Sequence, residues 1–319
     1  MILRNTNRLK HSLAVARKMV EIGKSKGLAE EELKDLFMLG YNHDIGYEFG
    51  TNENHNVIGA NILKQNKEYL LIHDTEELNI SNINKYKEDI QKLANGIPIQ
   101  YIINKQEFMG LEFYVDKNVL IPQPDTEILV EEVINICKEQ NANKKIKILD
   151  LCTGSGAIGI SIAKKIESCQ VTLSDISYDA LKIAQKNSVM VQAIGDSQKN
   201  NIKIIRSDLF EKVEEKFDII VSNPPYIETK TIQTLDKEVQ MEPKLALDGG
   251  EDGLDLYRRI IKEAYKHLNN NGTLALEIGY NQKDKVINLI KASNMYKDIY
   301  SKKDLSNNDR IVVCKKRSN

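Results

Sequence analysis

Between Thr126 and Cys314 short apolar runs alternate with segments of helical period, and this alternation constrains the fold more than any other feature of the chain. Thr126 to Glu139 reads as a helix, Ile146 to Leu151 as a buried strand and Ala157 to Ile166 as a helix. Strand Val171 to Ser174, helix Tyr178 to Val191 and strands Ile202 to Arg206 and Phe217 to Val221 continue the series. It closes with helix Leu254 to Leu268, strand Thr273 to Ile278, helix Lys283 to Lys291 and strands Tyr296 to Tyr300 and Arg310 to Cys314. Parallel neighbours in a sheet need a crossover, usually a helix, and strands made almost wholly of Ile, Leu and Val are buried on both faces. The expected fold class is therefore α/β, a mostly parallel sheet covered by helices on both sides.

The preceding residues have another texture. Leu13, Val15, Ala16, Met19, Val20 and Ile22 recur at helical spacing, and Leu33, Leu36, Phe37 and Leu39 follow, so residues 1–93 read as a small helical module. A turn signal at Gly96 to Pro98 interrupts it. Gln100 to Phe108 and Leu111 to Val115 are then rich in β-branched and aromatic residues, with Met109-Gly110 between them. Residues 94–123 thus read as a linker carrying a β-hairpin, and 124–319 as the α/β domain. At roughly 150 residues per domain, 319 residues suit two.

Composition narrows the function classes. With 41% hydrophobic and 29% charged residues the chain is globular, and disordered and collagenous classes are excluded. Its longest apolar runs are of strand length, far short of the roughly 18 residues of a membrane helix. Lys and Arg number 45 against 46 Asp and Glu, so the net charge is −1 and no global cationic field draws the chain to nucleic acid. Neither a membrane nor sequence-specific nucleic acid is expected as a partner. Cys137, Cys152, Cys169 and Cys314 lack the paired spacing of a zinc site, and Met1 to Lys10 lacks a signal-peptide core; a reduced, cytoplasmic protein is the expectation.

Two segments carry chemistry. The first, Asp150-Leu151-Cys152-Thr153-Gly154-Ser155-Gly156, joins a strand to a helix whose N-terminal N–H groups can face a ligand. With Gly159 and with Asp175, 21 residues beyond Gly154, it also matches a dinucleotide fingerprint. Asp150, just ahead of the turn, would repel a pyrophosphate but suits S-adenosyl-L-methionine, which carries an ammonium and a sulfonium. Asp150 and Asp175 are therefore read as cofactor-securing acids. The second segment, Asn223-Pro224-Pro225-Tyr226, follows a buried strand and presents acceptors, because the proline nitrogens cannot donate. The Asn223 side-chain carbonyl and the Pro224 backbone could accept both N–H bonds of a planar –NH₂ group, with Tyr226 stacked on it. Positioning of that kind can drive methyl transfer to a weakly nucleophilic amide nitrogen.

With these residues the chain resembles the glutamine methyltransferases of peptide-chain release factors, from about Gly96 onward. Further segments carry the resemblance: Gly96-Ile97-Pro98-Ile99-Gln100-Tyr101-Ile102, Glu107-Phe108-Met109-Gly110-Leu111, Leu120 to Glu127, Glu242-Pro243-Lys244-Leu245-Ala246-Leu247-Asp248-Gly249-Gly250, and Gly253-Leu254. The resemblance implies a Rossmann-like class I methyltransferase domain. It also implies a cofactor site lined by Cys152, Thr153, Gly154, Ser155, Gly156, Asp175, Leu209 and Asn223, and a substrate site at Asn223, Pro224, Pro225 and Tyr226. In the family the glutamine lies in a Gly-Gly-Gln segment of the release factor. Two positions depart from the family's pattern: Gln123 stands where arginine is usual, and Cys152 where the turn's first glycine is usual.

Residues 1–93 are also similar, through Arg8 to Ser12, Asn42 to Tyr47 and His55 to Ala60, to the start of an HD-type metal-dependent phosphohydrolase. That likeness implies His11, His43 and Asp44 as metal ligands, with Asp74 or Asp89 as a candidate for the last. The plainer expectation is a truncated helical module retained for packing or docking. A ribosomal-protein glutamine methyltransferase and a nucleic-acid amino-methyltransferase remain alternatives, the latter disfavoured by the charge balance.

Overall fold

The computed structural model describes residues 80–139, 145–193 and 201–318, together with Val20 and Lys24. The chain divides into two compact units, Met1–Asn95 and Gly96–Asn319. Of the first, helix α1 (Ile80–Ala94) is described. His11, His43, Asp44 and Asp74 lie outside the described residues. Asp89 is buried on α1 and pairs with Lys92 at 2.9 Å. Among the described residues no group of His, Cys, Asp or Glu is placed to hold a metal ion, and no helix is long and apolar enough to cross a membrane.

The second unit opens with α2 (Ile99–Ile103), where a strand was expected from Gln100. Pro98, at φ −54°, sets the first turn, and Asn104, left-handed at φ 56°, ends it. The hairpin itself is β1 (Gln106–Phe108) and β2 (Leu111–Phe113), joined through Met109 and Gly110, both at positive φ. Such a turn matches the right-handed twist of its strands. Phe108 and Phe113 meet edge to face at 6.2 Å and are wholly buried, so the hairpin belongs to the core of this unit.

A short 3-10 turn (Pro124–Thr126) leads into α3 (Glu127–Glu139). Then follow β3 (Ile146–Leu151), α4 (Ala157–Lys165), β4 (Cys169–Asp175), α5 (Tyr178–Gln192), β5 (Asn201–Arg206) and β6 (Phe217–Ser222). Two short helices, α6 (Lys237–Gln240) and α7 (Lys244–Leu247), precede α8 (Asp255–His267), β7 (Leu268–Glu277), α9 (Lys283–Ala292), β8 (Tyr296–Lys303) and β9 (Asp309–Lys316). The seven-stranded sheet has the order β5-β4-β3-β6-β7-β9-β8, with β9 alone reversed, and this is the Rossmann-like fold of class I methyltransferases.

Alternation along each strand divides the core. Ile148, Ile219 and Val313 face α3 and α4, whereas their neighbours Leu149, Ile220 and Val312 face α8 and α9. The order of the sheet turns back between β3 and β6, and in open α/β sheets ligands bind beyond the strand C-termini at such a point. Both chemistry-bearing segments leave the sheet there.

Candidate active site

Between β3 and α4 the backbone passes through left-handed conformations at Cys152 (φ 59°), Gly154 (φ 54°) and Gly156 (φ 84°). Its shape is held from β4. Thr153 N donates to Ser174 O at 2.9 Å, and Gly154 N donates to Asp175 Oδ2 at 2.9 Å. The other Asp175 oxygen accepts from Ser177 N, also at 2.9 Å. Burial raises the Asp175 carboxyl above its usual range, and these backbone donors partly offset the rise. Each oxygen keeps a lone pair to spare, and Asp175 lines a cavity of about 260 Å³.

Asp150 stands elsewhere. It is fully buried behind the turn and does not line the cavity, which corrects the expectation that it faces a cationic ligand. Its Oδ2 accepts from Thr153 Oγ1 at 2.6 Å and from Gly159 N at 2.9 Å, so it braces the loop from beneath. Gly159 is needed for this approach, because a Cβ there would lie 2.9 Å from Asp150 Oδ2 and overlap Leu173. Loss of hydration pushes the Asp150 carboxyl up to about 7, so the charge argument made from sequence left out the cost of burying the charge.

Strand β6 delivers Asn223 to the same cavity, where Pro225 and Leu209 also form wall. Leu209 is buried at φ 47°, a left-handed corner beside Asp208. Pro224 is buried and is not part of the cavity wall. Tyr226 is half-buried and, like Pro224, is not part of the cavity wall. The ring packs with the core beneath α8, its hydroxyl bonds to Arg310, and its backbone oxygen accepts from Gln282 Nε2 at 2.9 Å. Tyr226 anchors the loop.

Sequence reading missed the residues that orient Asn223. Its Nδ2 donates to Thr126 Oγ1 at 3.4 Å, and the Glu277 carboxyl accepts from both Thr126 and Asn223. With Nδ2 engaged, Oδ1 is the atom left for a ligand. The signal available was Glu277 itself, an acid directly after the apolar run Leu274-Ala275-Leu276 at the end of its strand.

The cavity is completed by two segments that meet through one carboxylate. Glu242 Oε2 accepts from Ile121 N at 2.9 Å, tying the Glu242 to Gly250 stretch to the Leu120 to Glu127 stretch. Leu120, Gln123, Pro243 and Leu245 all line the cavity. Burial pushes the Glu242 carboxyl up to about 7. The Glu242 to Gly250 stretch also clasps the loop after β6, through Ile227 N to Leu247 O at 2.9 Å and Gly249 N to Ile227 O at 2.8 Å. Gly253, at φ 72°, lies so close that a Cβ would overlap the Tyr226 carbonyl oxygen.

Residues 124–242 match the model of the methyltransferase small domain, and residues 54–103 that of the PrmC N-terminal domain. A release factor glutamine methyltransferase from Clostridium acetobutylicum is 41% identical over 266 residues, covering 82% of this chain and 90% of that protein. The chain belongs to this family. Another member, from Clostridium botulinum, is 38% identical over 289 residues, covering 89% of this chain and 99% of its own. A third, from Agrobacterium fabrum, is 42% identical over 229 residues, or 71% of this chain and 77% of its own.

Membership sharpens both departures from the family's pattern. At Cys152 the backbone is left-handed, a conformation glycine adopts freely and other residues adopt at a cost of about 1 kcal/mol. Burial raises the pKa of its thiol. Gln123 lines the cavity and donates to Ile121 O at 3.1 Å, so it offers a neutral amide where the family usually has a cation.

Proposed function

We propose that this chain transfers the methyl group of S-adenosyl-L-methionine to the side-chain amide nitrogen of the glutamine in the Gly-Gly-Gln segment of a peptide-chain release factor. The observation that carries the reading is Asn223, held at the carboxyl end of β6 with its Nδ2 bonded inward and its Oδ1 free for a planar N–H donor. The names of the relatives support the protein substrate, and the neutral charge balance favours it over a nucleic acid. The reading places the reaction in the cytoplasm, where release factors act.

The lining residues suit the cofactor. Asp175 offers two carboxylate oxygens to a ribose, the turn from Cys152 to Gly156 offers close backbone approach, and Leu209 offers an apolar wall to a base. When bound, S-adenosyl-L-methionine supplies an electrophilic methyl carbon on a sulfonium. Everything else falls to the chain. An amide nitrogen is a poor nucleophile because its lone pair is delocalised into the carbonyl. Asn223 Oδ1 and the Pro224 carbonyl take its two N–H bonds, hold its plane, and favour the charge that builds on nitrogen as the new bond forms. One of those protons then leaves to solvent, which restores a neutral N-methyl amide. Buried Pro224 keeps the pair of acceptors rigid.

Mass spectrometry of a release factor after incubation with enzyme and cofactor tests the proposal. A gain of one methyl group on the Gly-Gly-Gln glutamine is expected; an unmodified release factor overturns the reading.

A further inference from the structure

Glu277 ends β7, and Ser222 pairs with Leu276, so Glu277 comes level with Asn223 across two parallel strands. Glu277 is 2% exposed, and its carboxyl accepts from Thr126 and Asn223 and leaves Oε2 without a hydrogen-bond partner. A buried carboxyl is costly unless it is well bonded, and a half-bonded one in a site needs a reason. The reason lies in direction. An ionised carboxylate only accepts, a hydroxyl both gives and takes, and a primary amide can point either end at a neighbour. An acceptor-only group behind Thr126 and Asn223 turns both donors inward, and only the Asn223 carbonyl is left to face the cavity.

We propose that Glu277 is a positioning residue for methyl transfer, acting with Thr126 to fix which end of the Asn223 amide meets the substrate. The proposal rests on the reading of Asn223 as acceptor of the glutamine N–H bonds. A neutral Glu277 carries a proton of its own and no longer imposes that direction.

The groups around Glu277 set when it is neutral. Arg310, on β9, is a cation that acts on it, but that guanidinium is shared with Asp304 at 2.8 Å and Asp125 at 3.0 Å. Asp125 comes from the 3-10 turn, Tyr226 from the loop after β6, and Tyr257, whose hydroxyl donates to Glu277 O at 2.8 Å, from α8. Burial outweighs Arg310 and the two donors, and the carboxyl is pushed up to about 7.

Two measurements on the full-length enzyme test the proposal. In ¹⁵N spectra of the free protein the Asn223 side-chain NH₂ signal, assigned by its loss in Asn223→Asp, is expected to titrate near neutrality and to stop titrating in Glu277→Gln. In release-factor assays wild-type kcat is expected to rise with pH through about 7. Glu277→Gln is expected to lower kcat about tenfold and flatten that profile while leaving cofactor affinity unchanged. An NH₂ signal indifferent to pH, or a Glu277→Gln enzyme with wild-type kcat and pH profile, overturns the proposal. A titrating NH₂ signal with no methylation of any release factor would instead sink the substrate reading and leave the positioning role standing. Should Glu277→Gln not fold, Thr126→Val carries the kinetic test. A fall in kcat of about fivefold at unchanged cofactor affinity supports the proposal, and unchanged kcat overturns it.

Discussion

Asn223 is a small residue with a narrow task, and its removal separates binding from chemistry. Asn223→Ala is expected to cut turnover by about 10²-fold or more, the usual cost of losing a placed polar group at a reacting centre. Titration calorimetry is expected to find cofactor binding within a few fold of wild type, because Asp175 and the turn after β3 are untouched; near-normal turnover would refute the acceptor role. Cys152 is a second residue-scale case. Its left-handed φ of 59° is a local strain that Cys152→Gly removes, although glycine also frees the unfolded chain. The strain is the larger effect here, so thermal unfolding of Cys152→Gly is expected to show a gain of no more than about 0.5 kcal/mol. Sequence comparison could name this departure from the family's pattern, but only the backbone angle gives it a sign.

Among elements, the two segments that close the cavity depend on the bond between Glu242 and Ile121 N. Glu242→Ala leaves a buried N–H without a partner, a loss of about 1–3 kcal/mol, and the melting temperature is expected to fall by about 3–10 °C. Glu242→Gln keeps an acceptor oxygen and sheds an acid that burial already disfavours, so it is expected to melt close to wild type. Equal melting temperatures for the Ala variant and wild type would show that the segments hold together without this bond. The hairpin teaches a related lesson. Met109-Gly110 was readable as a turn, yet Gln100 to Ile103 coils into a helix although its residues favour strands. Pro98 and Asn104 bracket that helix, and Tyr101 is drawn inward by a 2.6 Å bond from its hydroxyl to Val119 O. Packing overrode propensity there.

For the whole molecule, buried acids set how stability follows pH. Asp150, Glu242 and Glu277 are each pushed up to about 7, from ordinary values of 3.8, 4.5 and 4.5. The folded state therefore holds more protons than the unfolded chain between these limits. Stability from this source is complete below about 4 and is lost as pH rises through 7. His267 works the other way, since burial lowers its pKa and folding disfavours its protonated form. Three acids outweigh one histidine, so the melting temperature is expected to fall between pH 5 and pH 8, with a shallower slope in Glu242→Gln. A melting temperature that rises over that interval would contradict the protonation states assigned to these carboxyls. Alternating apolar runs were enough to deduce the α/β class. Asn-Pro-Pro-Tyr after a buried strand was enough to bring Asn223 to the carboxyl end of the sheet, because period and proline chemistry are local properties of the chain. Two things were visible only in the tertiary structure: that Asp150 braces the loop from beneath, and that Thr126 and Glu277 bond to Asn223. Thr126 lies 97 residues before Asn223, and their meeting depends on strand order, register and the cost of burying a charge, none of which any one stretch of sequence contains.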